Sequence, residues 1–300
     1  MEQTKESKRI IGGKMYVINI KSRYEQTPQK YVKLFEQLYA KDPLILLHSN
    51  RYISIKQLLK SEYLEDDGTP RMLLIKLISY DILNPDAFYD KKTKTQVKID
   101  INPDIVANLK EVELYFIPKV HRLIVSISSK IGINQVMKYL THSFAETASN
   151  GAVDINIEKS RDIITRVLNA HKIFLIDADI TFSNKDFTEG FIAKFDKKIK
   201  DARPRNVKFK MEGTDEEPLK KEEDGIIEAI VNMSRSNGTM IARVQEKENG
   251  KPIKIDTKDY PMRIEIKDTE KNYFNKSLFK FCLVTFLSPP VSPFPQLNRT

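Results

Sequence analysis

The sequence predicts an α+β fold in two domains: a mostly β N-terminal half with one clear helix, and an α/β C-terminal half ending in a β-hairpin module. Three observations predict it. Residues 1–130 are dominated by short runs of alternating polarity. Residues 131–272 alternate helix-periodic and strand-periodic stretches. Residues 273–300 combine an apolar run with a proline-rich tail, SPPVSPFPQLNRT.

Each element has a local reason. In KMYVINIK, Lys14–Lys21, both faces carry apolar residues, as a strand buried on both sides requires. Pro28 suits a helix start, and Tyr31, Leu34, Phe35, Leu38 and Tyr39 form one helical stripe after it. Leu44–His48, Tyr52–Leu58 and Arg71–Tyr80 read as strands, with the turn LEDDGTP before the third. The lysine-rich segment Asn84–Asn102 reads as a loop leading into a short strand. Glu111–Ile117 and Arg122–Ser128 read as a hairpin about Pro118–His121.

In the second domain Val136, Met137, Leu140 and Phe144 mark a helix over Ile133–Thr147, and Val153–Glu158 a strand. Ser160–Asn169 reads as a short helix and Lys172–Phe182 as a strand with Phe174, Ile176, Ala178 and Ile180 on one face. Asn184 suits the cap of a helix carrying Phe187, Phe191, Phe195 and Ile199. A strand over Asn206–Met211, a charged loop and a helix over Gly225–Met233 follow. Thr239–Val244 and Pro252–Ile255 flank the turn Glu248-Asn249-Gly250, and Met262–Lys267 is a last strand.

The chain has 300 residues and is 40% hydrophobic and 9% aromatic, which supports a packed core and excludes a disordered chain. One cysteine, Cys282, excludes an internal disulfide framework and a Cys-rich zinc site. The four histidines form no HxxxH or HExxH pair, and neither GxxxxGK[ST] nor GxGxxG is present. The polar N-terminus does not read as a secretory leader, and the ten-residue apolar run Leu278–Leu287 is half the length of a membrane span. A cytoplasmic protein without membrane contact or cofactor is expected.

A net charge of +9 points toward polyanions. The charge concentrates between residues 194 and 210, where Lys194, Lys197, Lys198, Lys200, Arg203, Arg205, Lys208 and Lys210 face only Asp196 and Asp201. A cationic helix face followed by an arginine pair suits phosphate backbones, since arginine forks grip phosphate oxygens and lysines add point charge. Lys91, Lys92, Lys94 and Lys98 form a smaller basic patch. Asp177 and Asp179 share a strand face about 7 Å apart, a spacing open to a divalent ion but also to plain solvent exposure. Asp154, Glu158, Glu111 and Glu113 alternate on strands in the same way, and His121 has no nucleophile at a telling offset.

Several segments carry a family resemblance: MYVINI, YVKLFEQLY, RYISI, Pro118–Leu123, Ser236-Asn237-Gly238 through Arg243, Glu248–Lys251 and Asp256–Pro261. As an ordered set they resemble a prokaryotic family catalogued as domain of unknown function 4747, over roughly residues 10–268. That family is similar, more distantly, to the phage-exclusion protein RexA. The resemblance implies a two-domain, dimeric, sequence-nonspecific DNA binder in bacterial antiviral defence, and supplies no catalytic residues. The expected function is therefore nonspecific DNA binding through the eight cations of 194–210. The alternatives are a protein-interaction or sensor subunit of a defence or toxin-antitoxin system, working through residues 278–300, and a metal-dependent nuclease using Asp177, Asp179 or Glu158.

Overall fold

A computed structural model describes residues 11–23, 25–127, 130–148, 153–181, 206–222 and 225–268, with Lys194, Lys197, Lys198, Asp201, Ala202 and Pro204. The fold is α+β. The chain divides into two compact units, 15–264 and a smaller one made of 1–14 and 265–300. The larger unit carries two hydrophobic cores.

The first core lies under a large, mostly antiparallel sheet. Its strands are β1 (Ile11–Ser22), β2 (Ile45–His48), β3 (Arg51–Lys60), β4 (Leu73–Asp81), β7 (Ala107–Ile117), β8 (Arg122–Ile127), β9 (Val153–Ile157) and β14 (Arg263–Asp268). The order is β14-β1-β8-β7-β4-β3-β2, with β9 pairing against the end of β1. Alternate residues in parts of β3, β4 and β7 build its apolar face: Ile53 and Ile55, Leu73, Ile75 and Leu77, Val112, Leu114 and Phe116. That face is covered by α1 (Pro28–Lys41) and α2 (Ile133–Thr147). Phe35 of α1 stands 4.6 Å from the Phe116 ring and 5.6 Å from the Phe144 ring of α2. A fully buried aromatic of this kind contributes about 1.5–3 kcal/mol by burial alone. Helix α1 starts on Pro28 and ends where Asp42 turns left-handed and donates its N–H to the Leu38 carbonyl, 3.1 Å.

The second core is smaller. The sheet β11-β10-β12-β13, from Asn206–Glu212, Lys172–Thr181, Gly238–Gln245 and Ile253–Asp256, is antiparallel throughout. One face packs Ile176, Ala178, Ile180, Met240, Ala242 and Val244 against α3 (Arg161–Leu168) and α4 (Ile226–Asn237). Ser160 caps α3 by accepting the Asp162 N–H at 3.2 Å. The change from first to second core falls after Ile157; α2 and β9 pack with the first.

Two segments differ from the sequence reading. Within Asn84–Asn102 the chain forms a two-stranded ribbon, β5 (Phe88–Asp90) and β6 (Thr95–Val97), that joins neither large sheet. Its turn is made by Asp90 side-chain bonds to backbone N–H groups, a device invisible to hydrophobic periodicity. Helix α4 runs to Asn237 rather than Met233, because its last turn is buried and polar instead of apolar. No helix among the described residues is long and apolar enough to cross a membrane. The expected helix at 184–200 lies outside the described residues except for single positions, and so do the apolar run 278–287 and the proline-rich tail.

Candidate functional site

Of the eight cations of the basic segment, Lys194, Lys197 and Lys198 are helical and exposed. Their i, i+3, i+4 spacing sets them on one helix face. No ion pair holds any of the three among the described residues. Lys200, Arg203 and Arg205 lie outside the described residues. Lys208 and Lys210 stand on β11, exposed, but the register sets them opposite Asp179 and Asp177 of β10. Lys208 Nζ is 3.8 Å from Asp179 Oδ2, and Lys210 Nζ is 3.0 Å from Glu212 Oε1. The Glu212 carboxylate, with Asp177 adding, holds the Lys210 amine above its ordinary range. Among the described residues the segment thus divides: Lys194, Lys197 and Lys198 without an ion pair, Lys208 and Lys210 compensated on the strand.

Asp177 and Asp179 lie on the outer face of β10, away from the core, with those lysines across from them. Glu158 does not share that solvent face. It is buried, and its Oε1 lies 2.5 Å from Arg122 Nε, also buried. Among the described residues no three His, Cys, Asp or Glu side chains cluster in a way that would hold a metal ion. His121 is buried with left-handed backbone (φ 57°), its ring 4.4 Å from Tyr31. It completes a turn and packs an aromatic pair, which is a structural task.

The Arg122–Glu158 pair belongs to a buried polar joint between the first sheet and the second core. Arg122 Nη1 donates to Asn19 Oδ1 at 2.9 Å and to the Val120 carbonyl at 2.8 Å. Asn19 Nδ2 donates to the Ser236 carbonyl at 3.0 Å. Lys21, fully buried, donates through Nζ to Asn237 Oδ1 at 3.2 Å and to the Thr181 hydroxyl. Thr181 Oγ1 in turn donates to the Asn237 carbonyl, 2.8 Å. A β-carbon on Gly238 would meet the Asp179 carbonyl oxygen at 2.0 Å, so only glycine fits where β12 begins against β10. Each residue of Ser236-Asn237-Gly238 therefore has a physical duty: two carbonyls, one side-chain acceptor and one absent side chain.

Beside the joint an open cleft of about 550 Å³ is lined by Asp154 and Asn156 of β9, Asp179 and Thr181 of β10, Asn206 of β11, and Gly238 and Thr239 of β12. Both carboxylates are compensated, Asp154 by Arg23 at 3.2 Å and Asp179 by a hydrogen bond donated by Asn206 Nδ2 at 3.0 Å and by Lys208. Such walls offer amide and hydroxyl groups rather than net charge.

Sequence reasoning missed Asn19 and Lys21. The signal was available. A strand with apolar residues on both faces buries the polar residues set among them, and Asn19 and Lys21 flank Ile20 in KMYVINIK.

One antiparallel and one mostly antiparallel sheet, each backed by two helices and joined through buried hydrogen bonds of Asn19, Lys21 and Arg122, define an α+β protein that exposes Lys194, Lys197 and Lys198. The chain belongs to the family described as Domain of unknown function (DUF4747), whose sequence model matches residues 13–281. The matched span includes both cores, the joint and the basic segment. No curated relative matches the chain.

Proposed function

We propose that the protein binds nucleic acid without reading sequence, through a cationic face centred on Lys194, Lys197 and Lys198, and that duplex DNA is its ligand. The observation that carries the proposal is the exposure of these three lysines on one helix face with no carboxylate holding them among the described residues. Lysines so placed neutralise phosphates and release counterions, and this contribution is independent of base sequence. Lys200, Arg203 and Arg205 extend the face in sequence. Lys208 and Lys210 contribute less, since Asp179 and Glu212 already draw on their charge. The resemblance to RexA-like exclusion proteins adds a homodimer and a place in antiviral defence to the proposal.

Salt-dependent electrophoretic shifts test it. Three neutralised phosphates give a slope of log K against log salt of about −2.7, steeper if the arginines engage. Lys197→Glu with Lys198→Glu should flatten the slope by about 2 and weaken binding to unrelated duplexes alike. Absence of binding at low salt, or an unchanged slope in the variant, sinks the proposal.

A further inference from the structure

The ribbon β5–β6 gives the second basic patch a shape. It leaves the large sheet after β4 and returns at β7, and its register is Phe88↔Val97, Tyr89↔Gln96 and Asp90↔Thr95. Phe88 and Val97 are half-buried; Tyr89 and Gln96, across from each other, are exposed. The period of two thus gives the ribbon an inner and an outer face.

Its tip is built, not slack. Asp90 Oδ1 accepts the Lys92 N–H at 2.7 Å and the Thr93 N–H at 3.2 Å. These bonds hold the Asp90 carboxyl below its usual range. The Thr93 and Thr95 hydroxyls meet at 2.8 Å, and Lys94 turns the chain back with φ 57°. At the base, Ala87 N–H donates to the Asn84 carbonyl at 3.0 Å and Ile99 N–H to the Pro85 carbonyl at 3.1 Å. Lys98 pairs with Asp86 at 3.0 Å. Lys91, Lys92 and Lys94 are exposed at the tip, and none is ion-paired among the described residues.

We infer that this ribbon is a second contact to the nucleic acid, its lysine tip seated against duplex phosphates at a groove. The inference rests on the nucleic-acid reading above and names a different part of the molecule for it. Two strands about 4.8 Å apart fit within a major groove about 12 Å wide. The turn fixes three lysines before the ligand arrives, which reduces the ordering that binding requires. Asp90, the one carboxylate in the turn, is occupied by the backbone and leaves the tip net positive.

The test uses the full chain, with Lys91→Gln, Lys92→Gln and Lys94→Gln combined, and the triple Lys→Arg change as a charge-conserving control. Probes are duplex DNA, single-stranded DNA and anionic phospholipid vesicles. The glutamine variant should keep the wild-type melting temperature, lose tenfold or more in duplex affinity at low salt, and flatten the salt slope by about 2–3. The arginine variant should bind as wild type. Wild-type binding to duplex with no change in the glutamine variant overturns the ribbon contact and leaves the helix reading standing. Failure of the wild-type chain to bind any nucleic acid removes both. Preferential capture by vesicles, lost in the glutamine variant, assigns the tip to a membrane surface and overturns the inference.

Discussion

Lys21 and Arg122 in the joint and Lys91, Lys92 and Lys94 at the ribbon tip carry the same formal charge in very different company. The joint cations are buried, and each is met by side-chain oxygens: Asn237 and Thr181 for Lys21, Asn19 and Glu158 for Arg122. Arg51 repeats the pattern in the first sheet, with Asp81 at 2.8 Å and the Asn108 carbonyl at 2.9 Å. The tip cations are exposed and unpaired among the described residues. Between these extremes stand the strand lysines: Lys76 3.5 Å from Glu113, Lys56 paired with Glu111, and Lys210 with Glu212. The comparison teaches where a basic chain keeps usable charge. A sheet sets opposite charges beside one another, across strands as in Lys76–Glu113 or along one strand as in Lys210–Glu212, and spends most of the positive field locally. Turns and helix faces impose no such partner, so an excess of +9 is available to a ligand mainly there.

The joint should be the most fragile part of that contrast. Glu158→Gln leaves Arg122 buried without its carboxylate, and breaking one side of a buried pair costs about 3–5 kcal/mol. Replacing both residues, Arg122→Met with Glu158→Leu, should recover most of that loss, because neither member of the pair is then left buried without its partner. Urea unfolding of the two variants checks it. A Glu158→Gln protein as stable as wild type would place the pair among the weak surface contacts instead.

Lys159, next in the chain, sharpens the point through pH. It is buried, and burial, with repulsion from Lys258, lowers its amine to about 8 from an ordinary 10.5. Asp256 and Glu158 oppose the shift. The unfolded chain binds the proton more tightly than the folded one, so the destabilisation is fully present below about pH 8 and fades as pH rises toward 10.5. A shift of this size corresponds to about 3 kcal/mol. Lys159→Met should raise stability at pH 7 by up to about that much, and should flatten the rise in stability between pH 7 and 10. Equal pH dependence in both proteins would show that the amine is not the group responsible.

Much of this architecture was legible in the sequence because hydrophobic periodicity is local. The alternation of Phe174, Ile176, Ala178 and Ile180 marks β10, and the Tyr31, Phe35 and Leu38 stripe marks α1, with no knowledge of neighbours. What was not legible depends on partners far away in sequence. Glu158 reads as a solvent-facing carboxylate on its own strand and becomes an interior one only because Arg122 comes to meet it. Lys208 and Lys210 read as part of one cationic run, yet β10 supplies Asp179 and Asp177 opposite them. Ser236-Asn237-Gly238 stood out as a pattern, but its reason lies in Asn19, Lys21 and Asp179. The ribbon turn escaped for a different reason: Asp90 bonding to the backbone leaves no trace in polarity.

The smallest effect separates strand lysines from helix lysines directly. Lys208→Gln with Lys210→Gln removes two positive charges, as Lys197→Gln with Lys198→Gln does. Exposed pairs such as Lys208–Asp179 contribute at most about 1 kcal/mol, so neither double variant should change the melting behaviour much. Their effects on duplex binding should differ. A lysine already neutralised by a carboxylate displaces few counterions when it meets a phosphate. The strand pair should therefore flatten the salt slope by less than about 1 and the helix pair by about 2. Equal slopes would mean that the carboxylates of β10 and β11 give way when the polyanion arrives, and that register does not decide which lysines serve a ligand.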